Sequence, residues 1–232
     1  MFRAAEMSPR ARRVAVRLIH GWWEWTCGVA AISPTDGRGR RFRAMGPSSC
    51  ISFPPGPIVG ERWIEIGAGT LVGPHVTLSV GMPGEPLDPH APAVIRIGER
   101  CNIGRGSSLV GRCGITIGDD VTIAPNVYVT DHNHTYFEVD VPITRQWPAE
   151  EPVQIGAGSW LGTNAVVLPG ARIGRNVVVG AGTVVRGDIP DHSVVVGSSA
   201  RVVRQLVDGE WVPPIRHQEI RPPAGWDVRK SR

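Results

Sequence analysis

The residues best suited to chemistry stand together in Thr130-Asp131-His132-Asn133-His134. A neutral imidazole, with an ordinary pKa near ~6.5, takes a proton from a hydroxyl or amine as that group attacks. A carboxylate beside it orients the ring and stabilises its protonated form, as in the histidine–carboxylate part of a triad. Asp131 is adjacent, and Glu138 and Glu150 follow in the next stretch. Histidines are more often structural, and that account suits one of the two. A pair beside a carboxylate, at the edge of a regular segment, is better placed for proton transfer than for core filling.

That regular segment is a six-residue beat. Ile155, Leu161, Val167, Ile173, Val179 and Val185 recur at every sixth position, and Gly156, Gly162, Gly174 and Gly180 follow four of them. Ile66, Val72 and Leu78 form an earlier set, as do Ile97, Ile103 and Leu109, then Ile117, Ile123 and Val129. The step from Leu109 to Ile117 is eight, so two extra residues must bulge near Gly111–Gly114. Strands repeat every two residues and helices every 3.6. A helix is excluded, because interior Gly and Pro would cost ~1 and ~3 kcal/mol each. A beat of six fits a three-sided coil of about eighteen residues whose aliphatic side chains fill one column.

The expected organisation is an N-terminal helix with a Pro/Gly-rich linker over residues 1–57, a parallel β-helix over 58–206, and an extension over 207–232. Ser8-Pro9 opens the helix, which carries Val14, Leu18, Trp22 and Trp25 on one face. That face is expected to cap the first coil, the other prospect being contact with a lipid surface. Residues 81–92 and 135–152 break the beat and are expected to be loops off corners, where sites are commonly built. The histidine run falls where the third set of hexads ends and the second loop begins.

Charge and composition narrow the partners. The formal charge is +4, with arginines clustered at 10, 12, 13 and 17 and again at 38, 40, 41 and 43. These suit a solvated face, an anionic substrate or a membrane surface better than nucleic acid, for which no aromatic-plus-basic module is present. Cys27, Cys50, Cys101 and Cys113 have no CxxC spacing, so free thiols and a reducing, cytoplasmic setting are expected. No run approaches 18 apolar residues, and the first thirty lack a clean signal pattern.

The run from Ala124-Pro125-Asn126-Val127 to His134 resembles the hexapeptide-repeat acyltransferases, especially the galactoside, maltose and polysaccharide O-acetyltransferases. So do Trp160-Leu161-Gly162-Thr163-Asn164, Leu168-Pro169-Gly170, Val179 to Val185, Asp188-Ile189-Pro190 and Gly197 to Arg204. The resemblance implies an all-β solenoid, a left-handed parallel β-helix, assembled as a homotrimer with sites between neighbouring subunits. It implies acetyl-CoA as donor, a hydroxyl acceptor on a sugar, polysaccharide precursor or small metabolite, and no metal. Counting from the shared Ala-Pro-Asn-Val places the family's general base on His134. Asn126, Asp131, His132 and Trp147 fall on the acceptor side. Trp160, Thr163, Ala181, Arg201 and Arg204 match positions that meet the cofactor's arm and phosphates, where a guanidinium's forked geometry suits phosphate. A backbone N–H near Trp160 or Thr163 is implied as oxyanion donor. Gly197-Ser198-Ser199-Ala200 departs from the family's Gly-x-Pro-Ala, and the loop after His134 is longer than in the galactoside group.

Two rival functions share the architecture. A non-catalytic solenoid scaffold would have no use for paired arginines and this histidine run. A metal enzyme like the γ-type carbonic anhydrases needs three imidazoles from two subunits. Here His132 and His134 are two apart, and His75 is the only other histidine clearly within the repeat.

Overall fold

The computed structural model describes residues 7–82 and 87–213. The chain winds through three parallel sheets in rotation, giving one short strand to each per coil. The first face begins Ala44–Met45, Ile64–Ile66, Ile95–Ile97 and ends at Asp188–Ile189. The second begins Cys50–Ile51, Leu71–Val72, Asn102–Ile103. The third begins Ile58–Val59, Thr77–Val80, Ser108–Gly111 and ends at Val184–Val185.

Registers explain the beat of six. Ile97, Ile117, Ile155 and Ile173 pair in succession on the first face, and Leu109, Val129, Val167 and Val185 on the third. Every residue of the hexad sets named above is at most 3% exposed. Burial of each such side chain contributes roughly 1.5–3 kcal/mol, and each coil covers its neighbour. Backbone stacks on backbone at the corners: a Cβ at Gly156 would collide with the carbonyl of Gly174 in the next coil.

The stack starts earlier than expected. Residues 44–59 are its first coil, where a linker was expected before Ile58. Pro47, Pro54, Pro55 and Pro57 obscure the beat there. The expected cap is also corrected. The helix spans Pro9–Val29, yet none of its residues is buried. Ile32, bridged to Ile51, and buried Phe42 close the first coil instead.

At the far end the parallel stack stops at Val196, short of the expected 206. Arg201–Val207 runs back antiparallel along Ser193–Val196, and Glu210–Val212 pairs antiparallel with it. This hairpin covers an edge that would otherwise offer unpaired backbone groups. Of the expected extension over 207–232, residues 214–232 lie outside the described residues.

Candidate active site

Both large excursions leave the corner between the third and first faces. Between them lies the short bulge at Gly111–Gly114, located by the eight-residue step. Residues 131–152 form the larger excursion. It is a hairpin at its base, with His132–Asn133 paired antiparallel to Ala149–Glu150, so the departure begins before the expected residue 135.

Asp131 holds this corner together. Its carboxylate is fully buried and accepts N–H groups from Arg112 at 2.8 Å, Cys113 at 2.8 Å and Gly114 at 2.6 Å. Those donors belong to the preceding coil, so one side chain ties two coils. His132 Nδ1 lies 3.0 Å from Asp131 Oδ1. A carboxylate only accepts, so Nδ1 carries the proton and Nε2 is left free to take one. Burial alone would raise the Asp131 pKa, but His132 and the three backbone donors outweigh it and hold the value below 3.8. Beside it, the Cys113 thiol is pushed up to about 12 by desolvation and by that negative charge.

Arg112 is a functional candidate that the sequence reading did not single out. Its side chain is 3% exposed and its Nε donates to Glu150 Oε1 at 2.7 Å. Its guanidinium lies 4.9 Å from the centre of the Trp147 ring. The hairpin is therefore latched onto the bulge by charge and by a cation–π contact. The eight-residue step was the available signal, since inserted residues in a solenoid need a reason to be there. Within the hairpin, buried Gln146 donates to the carbonyls of Glu138 and Val141. Thr135 Oγ1 donates to the Trp147 carbonyl.

The structure brings Asp131, His132 and Trp147 to one corner. His134 follows directly, exposed, with its backbone N–H donating to Asn133 Oδ1 at 3.0 Å. Its ring makes no hydrogen bond among the described residues, so the carboxylate partners His132 and not His134. Among the described residues neither Glu138 nor Glu150 shares a hydrogen bond or ion pair with either imidazole; Glu150, opposite His132 across the hairpin, is engaged by Arg112. A cavity of about 400 Å³ lies under the hairpin, lined by Asn133, Ala149, Glu150, Glu151, Pro169 and Arg186 among others.

The remaining candidates lie elsewhere on the chain. Asn126 and Thr163 stand on the corner between the second and third faces, with Ala181 one coil beyond. The corner is built by stacked turns: Asn164 N donates to the Pro125 carbonyl, and Gly182 N to that of Thr163. Trp160, half exposed, points outward from the second face. Val178, Val194 and Arg204 follow it in register, which sets Trp160 and Arg204 about 14 Å apart at ~4.8 Å per strand. Arg204 Nε donates to the Pro213 carbonyl. Exposed Arg201 pairs with Val196 at the start of the terminal hairpin, beside a cavity of about 440 Å³ at Gly197–Ser199. Both arginines were expected in a continuing repeat; they sit on an antiparallel strand. The two groups occupy opposite ends of the third face, separated in one coil by Tyr128–Thr130, and a single chain does not bring them together. Among the described residues no group of three or more His, Cys, Asp or Glu is arranged to hold a metal.

Known proteins share these features. Residues 152–187 match the family described as bacterial transferase hexapeptide (six repeats), and residues 94–131 the hexapeptide repeat of succinyl-transferase. The galactoside O-acetyltransferase of Escherichia coli is 32% identical over 152 residues, covering 65% of this chain and 68% of that protein. WbbJ of Escherichia coli, named as a lipopolysaccharide biosynthesis O-acetyl transferase, is 35% identical, covering 57% of this chain and 70% of its own length. A Mycobacterium tuberculosis protein named as an acetyltransferase is 34% identical, but the matched region spans only 42% of it. Among solved structures, the N-acyltransferase AntD from Bacillus cereus, in complex with dTDP and 3-hydroxybutyryl-CoA, superposes with a TM-score of 0.62. That match is 20% identical and covers 74% of this chain and 87% of that one, a likeness of fold. With the coil, its six-residue registers and these relatives together, the chain belongs to the hexapeptide-repeat acyltransferase family.

Proposed function

We propose that this acyltransferase, coiled left-handed like its relatives, moves an acyl group, acetyl in the simplest case, from acyl-CoA to a hydroxyl of a carbohydrate or a small hydroxylated metabolite. The observation that carries the proposal is the buried Asp131–His132 pair at the root of a latched hairpin. It fixes the strand His132–Asn133, and His134 follows directly at the strand's end. His134 is exposed, where an acceptor and a thioester can both reach it. It acts as the base, taking the acceptor's proton as the oxygen attacks the thioester carbonyl. The tetrahedral oxyanion then collapses, the C–S bond breaks and the thiolate leaves, taking up the proton. Trp147 has one face on Arg112 and the other open, a platform for a sugar ring, and the cavity beneath the hairpin receives the rest of the acceptor.

The cofactor would lie along the second face. Trp160 flanks its arm, Thr163 and Ala181 line the corner, the backbone N–H of Thr163 faces the oxyanion because that of Trp160 already donates to the Val177 carbonyl, and Arg201 and Arg204 meet its phosphates. The two half-sites stand at opposite ends of one face, so the enzyme works as a homotrimer in which one chain's hairpin meets its neighbour's cofactor corner. Four cysteines, none in a disulfide, suit a cytoplasmic setting. A second reading has a specific observation behind it: His132, with its carboxylate at 3.0 Å, is itself the base and His134 binds the acceptor.

Thiol release from acetyl-CoA across a panel of hydroxyl compounds tests the reaction. His134→Ala is expected to lose at least ~100-fold in kcat with CoA binding kept. A larger loss in His132→Ala would favour the second reading, and near-normal turnover in both variants would remove the proposed mechanism. Mixing inactive His134→Ala with inactive Arg204→Ala subunits should restore part of the activity, because some shared sites then hold both native residues. No recovery in oligomers shown to have exchanged subunits would place each site within one chain.

A further inference from the structure

The acyl-transfer site leaves the helix Pro9–Val29 without a role. Ser8 Oγ caps its first turn, accepting from Ala11 N. At 3.6 residues per turn, Val14, Leu18, Trp22, Trp25 and Val29 form one stripe, and each is 55–67% exposed. Arg10, Arg13, Arg17 and His20 run along one flank of it, with Glu24 the helix's only acidic residue. Neither meets the coil. The helix leans on it through Trp23, whose ring centre lies 6.2 Å from that of Phe53, and Thr26 and Cys27 are half-buried nearby. The stripe therefore points away from the solenoid.

Two features select an occupant. The stripe is rich in tryptophan and is flanked by arginines, the pattern of helices that lie in a membrane–water interface. Among the described residues no helix is long and apolar enough to cross a membrane, so this one would lie on the surface. The same end of the stack adds positive charge. Arg40, Arg41, Arg43 and Arg62, with Glu61 the one acidic lining residue, surround a cavity of about 570 Å³ beside Trp63, and Arg43 is engaged by Glu65.

We propose that this helix docks the enzyme on an anionic phospholipid surface. Leu18, Trp22 and Trp25 enter the acyl boundary, and Arg10, Arg12, Arg13 and Arg17 meet the headgroup phosphates. This does not depend on the acyl-transfer reading and can fail without it.

The test uses the full chain with vesicles of phosphatidylcholine, alone or mixed with phosphatidylglycerol. Co-sedimentation with the mixed vesicles and a blue shift of tryptophan emission are expected, both weakening as salt shortens the range of charge attraction. Trp22→Ser with Trp25→Ser should bind at least ~10-fold more weakly. Replacing the four helix arginines by Gln should weaken binding about fivefold for each one near the surface. Both variants should keep thiol release on a water-soluble acceptor, which shows that they fold. Absence of sedimentation, or equal binding to neutral vesicles, would overturn the proposal. So would a changed oligomeric state in the tryptophan variant, because the stripe would then be covered by a second copy of the chain.

Discussion

The two ends of the third face are corners of the same coil, built by opposite means. Where the face begins, corners are bare backbone stacked on backbone, and Asn126 turns the chain with a left-handed φ of 61°. Where it ends, residues are inserted, and Asp131 satisfies three backbone donors of the bulge from 17 to 19 residues away. A regular corner needs small residues and gives a smooth groove wall. An irregular corner leaves amide groups off the ladder, and a buried side chain must pair them. The carboxylate that does so also fixes an imidazole, so repair of the fold and preparation of the site are one interaction.

The largest effect expected from breaking this contrast comes at Asp131. In Asp131→Ala three amides lose their acceptor, and each buried unpaired group costs about 1–3 kcal/mol. A loss of roughly 3 kcal/mol or more is expected in urea unfolding at fixed protein concentration, together with a fall in kcat. A loss no larger than that of a surface substitution would show that the bulge supports itself. Acid sharpens the same point. The Asp131 pKa is lowered from 3.8 in the folded chain, so the unfolded state binds its proton first. Its contribution is full above that value and disappears as pH falls through the lower folded-state value. Asp131→Asn should flatten this part of the stability–pH curve, and an unchanged acid limb would assign it to other carboxylates. Asp36 offers an internal comparison: it also gathers backbone N–H groups, from Ser33, Arg38 and Gly39, but within three residues of itself. Its loss should disturb one turn.

A smaller effect is expected at Arg112. Arg112→Met keeps the buried stem but removes the contact to Glu150 and the cation beneath Trp147, about 2 kcal/mol for a charged hydrogen bond. The hairpin should loosen while the coil persists. Faster hydrogen exchange confined to residues 132–150 would show this, and uniform protection would mean that the latch is dispensable.

Legibility followed the same divide. The six-residue beat located the column residue by residue, because each inward position has one requirement, an aliphatic side chain of fitting size. The first coil was obscured because prolines and Phe53 replace the repeat's usual corner residues. The end at Val196 was missed because Arg201–Val207 still alternates like a strand, and spacing does not reveal a reversal of direction. The helix was legible but its packing was not: an apolar stripe states that something covers it, not what. At the site, Asp131-His132-Asn133-His134 stood out by residue type. The pairing of Asp131 with His132, and the latch through Arg112, depend on contacts between coils that no local spacing encodes.

The smallest expected effect tests the regular corner and separates backbone from chemistry. Asn126 was picked as an acceptor-side residue by resemblance, yet its left-handed φ is reason enough for Asn at that turn. Asn126→Gly keeps the backbone free to adopt that conformation, whereas Asn126→Ala strains it by roughly 1–2 kcal/mol. If the residue only turns the corner, the glycine variant should unfold close to the parent and retain turnover, and the alanine variant should be modestly destabilised. If the amide contacts the acceptor, both variants should raise KM to a similar degree whatever their stability. Equal KM in parent and glycine variant would remove Asn126 from the acceptor site and leave the inserted corner to select the acceptor.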